Sequence, residues 1–286
     1  MATEIREARG YALCLPPVDF DLLDPRQVDA QLAQYRPDAV LHLAAQSNVA
    51  ASFQDPEGTF RVNLTGTLRL LEGLRRAKLS PAFLFVSSGD VYGRVSDSEP
   101  PISEDRHPQP RNPYAVSKAA AEMLCLQWAM TEALPIKVAR PFNHIGRGQS
   151  DSFVLPAFAR QVAEIHAGRR EPIVDVGDID VTRDFSHVAD VVEAYLSILE
   201  NGKVGEIYNV ASGESFLIRE LLAKLKHLAG VSASDRQDPT RFRPAEQRTV
   251  RASNGKLRGL GWRPKRSIDD ALGEIMDEWK RRITNG

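Results

Sequence analysis

The sequence predicts an α/β fold with a doubly wound parallel sheet and a smaller α+β lobe. In the first half of the chain, short apolar runs alternate with amphipathic helical patterns. This rhythm is typical of parallel strands covered by helices on both faces. After about Gly146 the alternation loosens. We therefore expect a sheet domain at residues 1–146 and a lobe at residues 147–286, some segments of which return to the sheet.

Short apolar runs bounded by turn residues are the predicted strands, because a strand buried on both faces reads as continuous apolar sequence. The predicted strands are 11–17, 39–45, 82–88, 136–142 and 206–212. Open α/β sheets bind ligands beyond the carboxyl ends of their strands. We therefore expect the binding site in the cleft between that edge of the sheet and the lobe.

Apolar residues at helical spacing mark the helices between the strands. In the stretch 56–77, for example, Phe60, Leu64 and Leu68 recur every four residues and share one face. The other predicted helices are 112–130, 154–168, 187–199, 218–228 and the C-terminal segment.

Composition and charge exclude several classes of protein. The 286 residues carry 37 Lys and Arg against 38 Asp and Glu, a formal net charge of -1, which gives no reason to expect nucleic acid or an anionic membrane as partner. No apolar run reaches the length of a membrane helix, and the charged N-terminus lacks the apolar core of a secretion signal. Cys14 and Cys125 fall in apolar runs, so we expect buried free thiols and a cytoplasmic protein.

Tyr114 and Lys118 form the sharpest chemical signal. They are four residues apart in a predicted helix and so share one face. A nearby ammonium favours the phenolate and lowers the pKa of a tyrosine from about 10 toward useful acidity. Ser88 ends a predicted strand at the same edge of the sheet, where its hydroxyl could hydrogen-bond a substrate oxygen. A tyrosine and a lysine at this spacing are also common on solvated helix faces, so the pair alone decides nothing.

Further motifs occur in the order expected of one family. They are DLLDP (21–25), DAVLHLAAQSNV (38–49), NLTGTLRLLE (63–72), SSGDVYG (87–93), NPYAVSK (112–118), RPFNHIGRGQ (140–149), VGDIDVTRDFSHVADV (176–191), YNVASGE (208–214) and RPAEQRTVRASNGKLRGLGWRP (243–264). With them the sequence resembles the extended, nucleotide-sugar-modifying branch of the short-chain dehydrogenase/reductase family. The resemblance covers nearly the whole chain and implies a Rossmann-like sheet that binds NADPH or NADH.

Within that branch, the resemblance implies an oxidoreductase that reduces the 4-keto group of GDP-4-keto-6-deoxy-D-mannose to GDP-D-rhamnose. The related 4,6-dehydratases carry a glutamate beside the catalytic serine or threonine, whereas this chain reads Ser88-Gly89-Asp90. A reduction needs only a hydride and a proton donor, so the sequence favours a reductase. A 4,6-dehydratase, a 4-epimerase and a catalytically silent sugar-nucleotide binder remain alternatives.

The resemblance also assigns roles by position. Tyr114 would be the general acid, Lys118 would lower its pKa and bind the nicotinamide ribose, and Ser88 would orient the keto oxygen. The implied cofactor contacts are Asp21 and Leu22, at the adenine, together with Leu43, Ala44, Ala45, Gln46, Tyr114, Lys118 and Pro141. The implied substrate contacts are Ser88, Gly89, Asp90, Asn143, Arg183, Arg243 and Glu246. No metal site is expected.

The family's glycine-rich turn does not occur in this sequence. That turn normally lets the backbone approach the pyrophosphate of a dinucleotide. The strand before it and most of the helix after it are also missing. Two explanations are open: the true start lies upstream of Met1, or the chain is a paralogue that cannot bind cofactor. We expect this chain to bind a dinucleotide weakly or not at all.

The resemblance further implies self-association. In similar enzymes the helices that correspond to 56–77 and 112–130 pack against their symmetry mates as a four-helix bundle. The apolar residues that would lie there, unless they belong to the core, are Leu68, Leu124, Trp128 and Met130. We expect a homodimer or a homotetramer.

Overall fold

Four parallel strands form the central sheet. The computed structural model describes residues 11–96, 99–238 and 248–285. Its strands are β1 (Ala39–His42), β2 (Ala82–Val86), β3 (Ile136–Pro141), β4 (Asn143–Ile145), β5 (Ile173–Val176), β6 (Thr182–Arg183), β7 (Phe185–His187), β8 (Ile207–Val210), β9 (Phe216–Leu217) and β10 (Ser234–Gln237). The central sheet runs in the order β1-β2-β3-β8, and every neighbouring pair is parallel. The predicted α/β fold with a parallel sheet is therefore confirmed.

Helices connect the strands. They are α1 (Pro25–Tyr35), α2 (Val49–Gln54), α3 (Pro56–Phe60), α4 (Gly66–Arg76), α5 (Pro113–Thr131), α6 (Val154–His166), α7 (Val188–Asn201), α8 (Ile218–Ala229), α9 (Gly255–Gly259) and α10 (Ile268–Asn285). Both α1 and α5 begin with a proline after a capping side chain, Asp24 and Asn112 respectively, which is the favoured start of a helix. Within the described residues, none of these helices has the length and apolar character needed to span a bilayer.

The sheet separates two apolar cores. Phe83 and Phe85 of β2 pack in one core with residues of α1, α4 and α5. Leu84, between them, packs in the other with Tyr195 of α7 and with Trp262. Side chains alternate along a strand, so a continuous apolar strand serves both cores at once.

Residues that follow β3 in the chain form a third core. Leu155 of α6, Leu222 of α8 and Ile275 of α10 meet there. The two-stranded pairs β4–β7 and β5–β10 contribute Ile145 and Val174 to it.

The predicted strand at 11–17 is wrong. These residues have no regular secondary structure, and most of their side chains are exposed. Leu13 packs against Val192 and Leu196 of α7. A strand forms only where a neighbour pairs with its backbone, and in the described sheet β1 pairs with β2 alone.

The same segment explains an error about the cysteines. Cys125 is buried, but Cys14 is exposed, whereas both were expected to be buried. Cys14 lies in the apolar run that does not enter the sheet, so no neighbouring strand covers it.

The helix predicted over 56–77 is interrupted. Between α3 and α4, Arg61–Thr65 form a π-helical turn, a feature that is frequent at functional sites. Helix α4 lies close to α1, because a Cβ on Gly73 would be 2.8 Å from Cγ1 of Val28. The absence of a side chain at Gly73 lets the two helices touch.

The four residues predicted for an interface or the core divide between the core and the surface. Trp128 is buried, with the guanidinium carbon of Arg75 5.2 Å from its ring centroid. Leu68 and Leu124 are partly buried and pack against the same core. Met130 is 78% exposed. Only Met130 of the four is therefore a surface residue.

Candidate active site

Segments that follow three neighbouring strands meet at the carboxyl edge of the sheet. Residues 43–46 follow β1, Ser88 follows β2, and Pro141 ends β3. Because β1, β2 and β3 are adjacent and parallel, their carboxyl ends share one edge, where open α/β sheets bind ligands. The structure thus brings predicted cofactor and substrate residues to the same place.

Ser88 precedes a 3₁₀ turn, Gly89–Tyr92. Its side chain is buried, and its Oγ accepts a hydrogen bond of 3.2 Å from the backbone N–H of Asp90. Gly89 lies against Phe142, since a Cβ at this glycine would be 3.0 Å from two ring carbons. The glycine lets the turn pack closely on the residue after β3, which holds Ser88 at the sheet edge.

Tyr114 is placed by the N-terminus of α5. Oδ1 of Asn112 accepts a hydrogen bond of 2.7 Å from the N–H of Ala115, and Pro113 takes the first helical position. The phenol is half-buried and lies close enough to Ser88 for the serine hydroxyl to lower its pKa. The two hydroxyls predicted to handle the substrate oxygen therefore lie together.

The pKa of Tyr114 is raised, contrary to expectation. Burial raises the pKa to about 12; the hydrogen bond with Ser88 opposes this shift, and the charge of Asp90 adds to it. The expected lowering by Lys118 is not observed in this structure, because loss of hydration of the phenolate dominates. The phenol is protonated at neutral pH.

Lys118 lies one helical turn after Tyr114 and is 3% exposed. Its Nζ is 4.8 Å from the centroid of the Phe85 ring, close enough for a cation–π interaction. Burial lowers the pKa of Lys118 to about 8, while Cys125 and Glu122 oppose that change. A buried lysine with a shifted pKa at a ligand-binding edge is a candidate functional residue.

Asn63 and Ser117 fix the segment after β1, and neither was predicted from the sequence. Oδ1 of Asn63 accepts from the N–H of Gln46 at 2.8 Å. Its Nδ2 donates to the carbonyl of Gln46 at 3.0 Å and to Oγ of Ser117 at 2.8 Å. The signal that could have found Asn63 is its place on the apolar face of a predicted helix, three residues after Phe60.

The residues predicted at the adenine lie just before α1. Asp21 is exposed, and its Oδ1 accepts a hydrogen bond of 2.8 Å from the N–H of Leu23. The side chain of Leu22 packs on α4, because a Cβ on Gly66 would be 2.8 Å from its Cδ2. Leu22 therefore has a packing role, and the contacts of Asp21 and Leu22 with adenine stay predictions.

Two predicted substrate residues lie on strands outside the central sheet. Asn143 is exposed and begins β4, and Arg183 is partly exposed and ends β6. Nη1 of Arg183 donates to the carbonyl of Thr182 at 2.7 Å. The contacts of both with a sugar nucleotide stay predictions. Arg243 and Glu246 lie outside the described residues.

Asp184 is hydrogen-bonded to the loop after β8, which lies at the same edge of the sheet. It is buried, and its carboxylate accepts hydrogen bonds from the N–H and Oγ of Ser212 and from the N–H of Gly213, at 2.8, 2.9 and 2.9 Å. Burial raises the pKa of Asp184 to about 6, although these hydrogen bonds oppose the shift. These hydrogen bonds hold the loop after β8 beside Arg183, at the edge where the segments after β1, β2 and β3 also lie.

Comparison with known proteins agrees with this architecture. The family described as GDP-mannose 4,6 dehydratase matches residues 14–275. The chain belongs to this family. The resemblance to nucleotide-sugar-modifying short-chain dehydrogenase/reductases is thereby confirmed.

Proteins of several activities are similar to this member of the GDP-mannose 4,6 dehydratase family. GDP-6-deoxy-D-mannose reductase from Pseudomonas aeruginosa is 49% identical over 274 residues, which cover 96% of this chain and 90% of that protein. The structure of RMD from Pseudomonas aeruginosa complexed with NADPH matches with a TM-score of 0.92 and 46% identity, over 98% of this chain and 95% of that one. UDP-glucose 4-epimerase from Thermus thermophilus, in complex with NAD, matches with a TM-score of 0.83 and 31% identity, over 96% and 87%. These neighbours confirm the Rossmann-like fold.

Proposed function

We propose that this chain is an oxidoreductase that reduces the 4-keto group of GDP-4-keto-6-deoxy-D-mannose to GDP-D-rhamnose, with NADPH or NADH as the hydride donor. One observation carries the proposal: a protonated Tyr114 meets Ser88 at the carboxyl edge of the sheet, one helical turn from the buried Lys118. The 49% identity with GDP-6-deoxy-D-mannose reductase supports the choice of substrate.

The residues at this edge fit a nicotinamide dinucleotide. Residues 43–46 are exposed or half-exposed beside it, and residues 43–45 offer backbone groups to phosphate and ribose. Oγ of Ser87 is buried without a hydrogen-bond partner among the described residues, and the ammonium of Lys118 suits ribose hydroxyls. When bound in reduced form, the dinucleotide supplies the hydride. NADPH is named first because the Pseudomonas aeruginosa structure contains it.

A ketone needs a proton at its oxygen as well as a hydride at its carbon. Tyr114 is suited to give the proton because its phenol, with a pKa raised by burial to about 12, is protonated at neutral pH. Ser88 donates a second hydrogen bond to the keto oxygen and stabilises the developing negative charge. Lys118 is positively charged below its pKa of about 8 and stabilises the phenolate left after proton transfer.

The turn after β2 favours reduction over elimination of water. A dehydratase needs an acid/base group that reaches carbons 5 and 6 of the sugar, and the carboxylate here belongs to Asp90, whose side chain is shorter than that of a glutamate.

The sugar nucleotide is proposed to lie between the turn after β2 and the lobe. A guanidinium suits the diphosphate because its planar fork donates two hydrogen bonds at once, and an amide suits sugar hydroxyls. The proposed contacts are Ser88, Gly89, Asp90, Asn143, Arg183, Arg243 and Glu246.

The proposed enzyme is a homodimer that forms through α5. Val116, Met123 and Met130 recur every seven residues on this helix and are 38%, 71% and 78% exposed. Residues seven apart lie on one helix face, so these side chains form an apolar stripe. A second copy of the same stripe would cover it in a symmetric interface.

Oxidation of NADPH by the full chain in the presence of the GDP-linked keto-sugar tests the proposed reaction. We expect oxidation that depends on the sugar and a product that NMR identifies as GDP-D-rhamnose. Inversion at carbon 4 without net oxidation of the cofactor would identify an epimerase. Loss of water from a GDP-hexose would identify a dehydratase.

Dinucleotide affinity is measured separately, by isothermal titration. The sequence alone predicts weak or absent binding, whereas the proposed reductase requires the cofactor to bind; a dissociation constant of about 1 μM or tighter would contradict the sequence-based prediction. Binding of the sugar nucleotide without any turnover at saturating cofactor would identify a silent binder and refute the proposed reductase.

A further inference from the structure

A buried ion pair lies one helical turn beyond Lys118. Glu122 and Arg140 are each 2% exposed. Arg140, on β3, donates from Nε to Oε2 of Glu122 at 3.0 Å and from Nη2 to Oε1 at 2.5 Å, a two-pronged geometry that fixes direction as well as distance. Tyr114, Lys118 and Glu122 are spaced by four on α5 and share one face. The pair therefore ties that face to β3.

Arg140 also contacts the turn after β2. Its guanidinium carbon is 4.6 Å from the centroid of the Tyr92 ring, and Tyr92 ends the 3₁₀ turn that Ser88 caps. The hydroxyl of Tyr92 donates to Oδ1 of Asn209, on β8, at 2.6 Å. The four residues Glu122, Arg140, Tyr92 and Asn209, called the anchor cluster below, join α5, β3, β8 and the turn that holds Ser88.

We propose that the anchor cluster positions the reaction site. It fixes α5 relative to the turn after β2, so that the phenol of Tyr114 meets Ser88, and Glu122 supplies the negative charge that favours the ammonium form of Lys118. These are positioning residues, because each acts through a neighbour. The inference rests on the proposed reductase function only for its kinetic consequence, since the charge of Lys118 can be measured without substrate.

Among the described groups that face Lys118, Glu122 is the one that carries a negative charge. On β2 the neighbour is the ring of Phe85. On β1 it is His42, which is neutral because burial lowers its pKa to about 3. On α5, burial raises the pKa of the Cys125 thiol, and the phenol one turn earlier is also protonated. Cys125 and Glu122 both oppose the effect of burial on the lysine, and of the two Glu122, paired with a guanidinium, is the one that carries a charge at neutral pH.

A contribution to the stability of the fold is a poor explanation for this buried ion pair. Removing two charges from water costs about as much free energy as their attraction returns, so buried ion pairs contribute little net stability. Deleting one partner leaves the other charge buried and unpaired, which destabilises the protein. Every variant of the cluster is therefore compared per folded molecule, with the folded fraction taken from urea unfolding.

The charge of Lys118 is measured first, without substrate. The protein is labelled with carbon-13 at lysine Cε, and the Lys118 resonance is identified by its loss in Lys118→Met. The chemical shift of this resonance is followed by NMR across pH, which gives the midpoint of the Lys118 titration. Glu122→Gln keeps the shape and removes the charge. We expect the midpoint to move to lower pH by about 1 unit, because the buried ammonium loses its anionic neighbour.

Arg266→Met is the matched control. Arg266 pairs with the buried Asp190 at 2.9 Å, and this pair joins α7 to the segment before α10. Its loss also breaks a pair between an arginine and a buried carboxylate, but we expect the Lys118 midpoint to stay where it is in the wild type. An unchanged midpoint in folded Glu122→Gln protein would overturn the electrostatic part of the proposal.

Kinetics test the positioning part. Arg140→Met is expected to lower kcat about tenfold or more per folded molecule, with little change in KM for the sugar nucleotide, because no proposed substrate contact is lost. Arg140→Lys keeps the positive charge but loses the planar guanidinium that donates two hydrogen bonds to Glu122. This variant is expected to recover part of kcat. A purely structural role would lower the folded fraction and leave kcat per folded molecule unchanged.

The outcomes separate this inference from the proposed function. If the wild type shows no turnover with the keto-sugar, the reductase function fails, while the NMR titration still decides the role of Glu122. If the wild type turns over and folded Arg140→Met matches it in kcat, the positioning proposal fails and the reductase function stands.

Discussion

Asn63 donates a hydrogen bond of 2.8 Å to Oγ of Ser117, across 54 positions of the sequence. The same amide accepts from the N–H of Gln46 and donates to its carbonyl. One buried side chain therefore ties the segment after β1, proposed to contact the cofactor, to the helix of the proposed proton donor.

Asn63→Ala should destabilise the protein by about 1–3 kcal/mol, because it leaves buried polar groups unpaired. It should also speed hydrogen exchange at the amide of Gln46. Urea unfolding and exchange followed by mass spectrometry measure the two effects. Asn254→Ala is the control, since that buried amide donates to the carbonyls of Ala211 and Ser212. It should destabilise the protein without changing exchange at Gln46, and equal exchange in the two variants would contradict the assignment.

Ser88→Ala should lower kcat with the keto-sugar about 100-fold, the usual cost of one lost donor to a developing oxyanion. The loss has a second physical cause, because the hydrogen bond with Ser88 holds down the pKa of Tyr114. Steady-state kinetics measure the effect. Ser88→Thr keeps a hydroxyl and should retain most of the activity. Wild-type turnover in the alanine variant would show that Ser88 does not contact the reacting oxygen.

His42 should make the folded protein sensitive to acid. Its Nε2 is 3.0 Å from Oγ1 of Thr67, and burial, with the charge of Lys118, lowers its pKa from 6.5 to about 3. The unfolded chain takes up a proton below about pH 6.5, whereas the folded chain does so only near pH 3. The free energy of unfolding should therefore fall as pH drops through this window.

The variant His42→Gln isolates this contribution. Glutamine keeps a polar group beside Thr67 but does not titrate, so its free energy of unfolding should fall less steeply between about pH 6.5 and pH 5 than that of the wild type. Urea unfolding at several pH values gives the two slopes. Parallel slopes would show that the histidine is accessible to protons in the folded state.

The apolar stripe of Val116, Met123 and Met130 on α5 predicts the oligomeric state. Wild-type protein should sediment with at least twice the mass of the 31.7 kDa chain, and Met123→Glu should shift it to the monomer because two copies would bring a charge into an apolar interface. Val204→Glu is the control, as Val204 is 52% exposed and lies outside α5. An unchanged mass in the Met123 variant would place the interface elsewhere.

Most of the fold was predictable because buried parallel strands leave a strong apolar signal. The runs at 82–88 and 136–142 became β2 and β3. The run at 11–17 carried the same signal and is not a strand, since apolar character does not reveal whether a partner strand is present. The π-helical turn at Arg61–Thr65 was not predictable, because the apolar spacing runs through it without a break.

The site was predictable where its signal is local. Tyr114 and Lys118 stand four apart on one helix, and Ser88 follows a strand. Glu122 and Arg140 were missed because their partnership spans 18 positions, although Glu122 follows Lys118 at the same spacing of four. The direction of the Tyr114 pKa shift was also beyond the sequence, since it depends on how deeply the phenol is buried.

The most direct test of the proposed chemistry is turnover of the GDP-linked keto-sugar by Tyr114→Phe at saturating NADPH. The variant lacks only the hydroxyl that is in contact with Ser88. Its kcat should fall about 100- to 10,000-fold, the usual contribution of a general acid, while isothermal titration shows sugar-nucleotide binding as in the wild type. Turnover at the wild-type rate would show that the proton comes from another group.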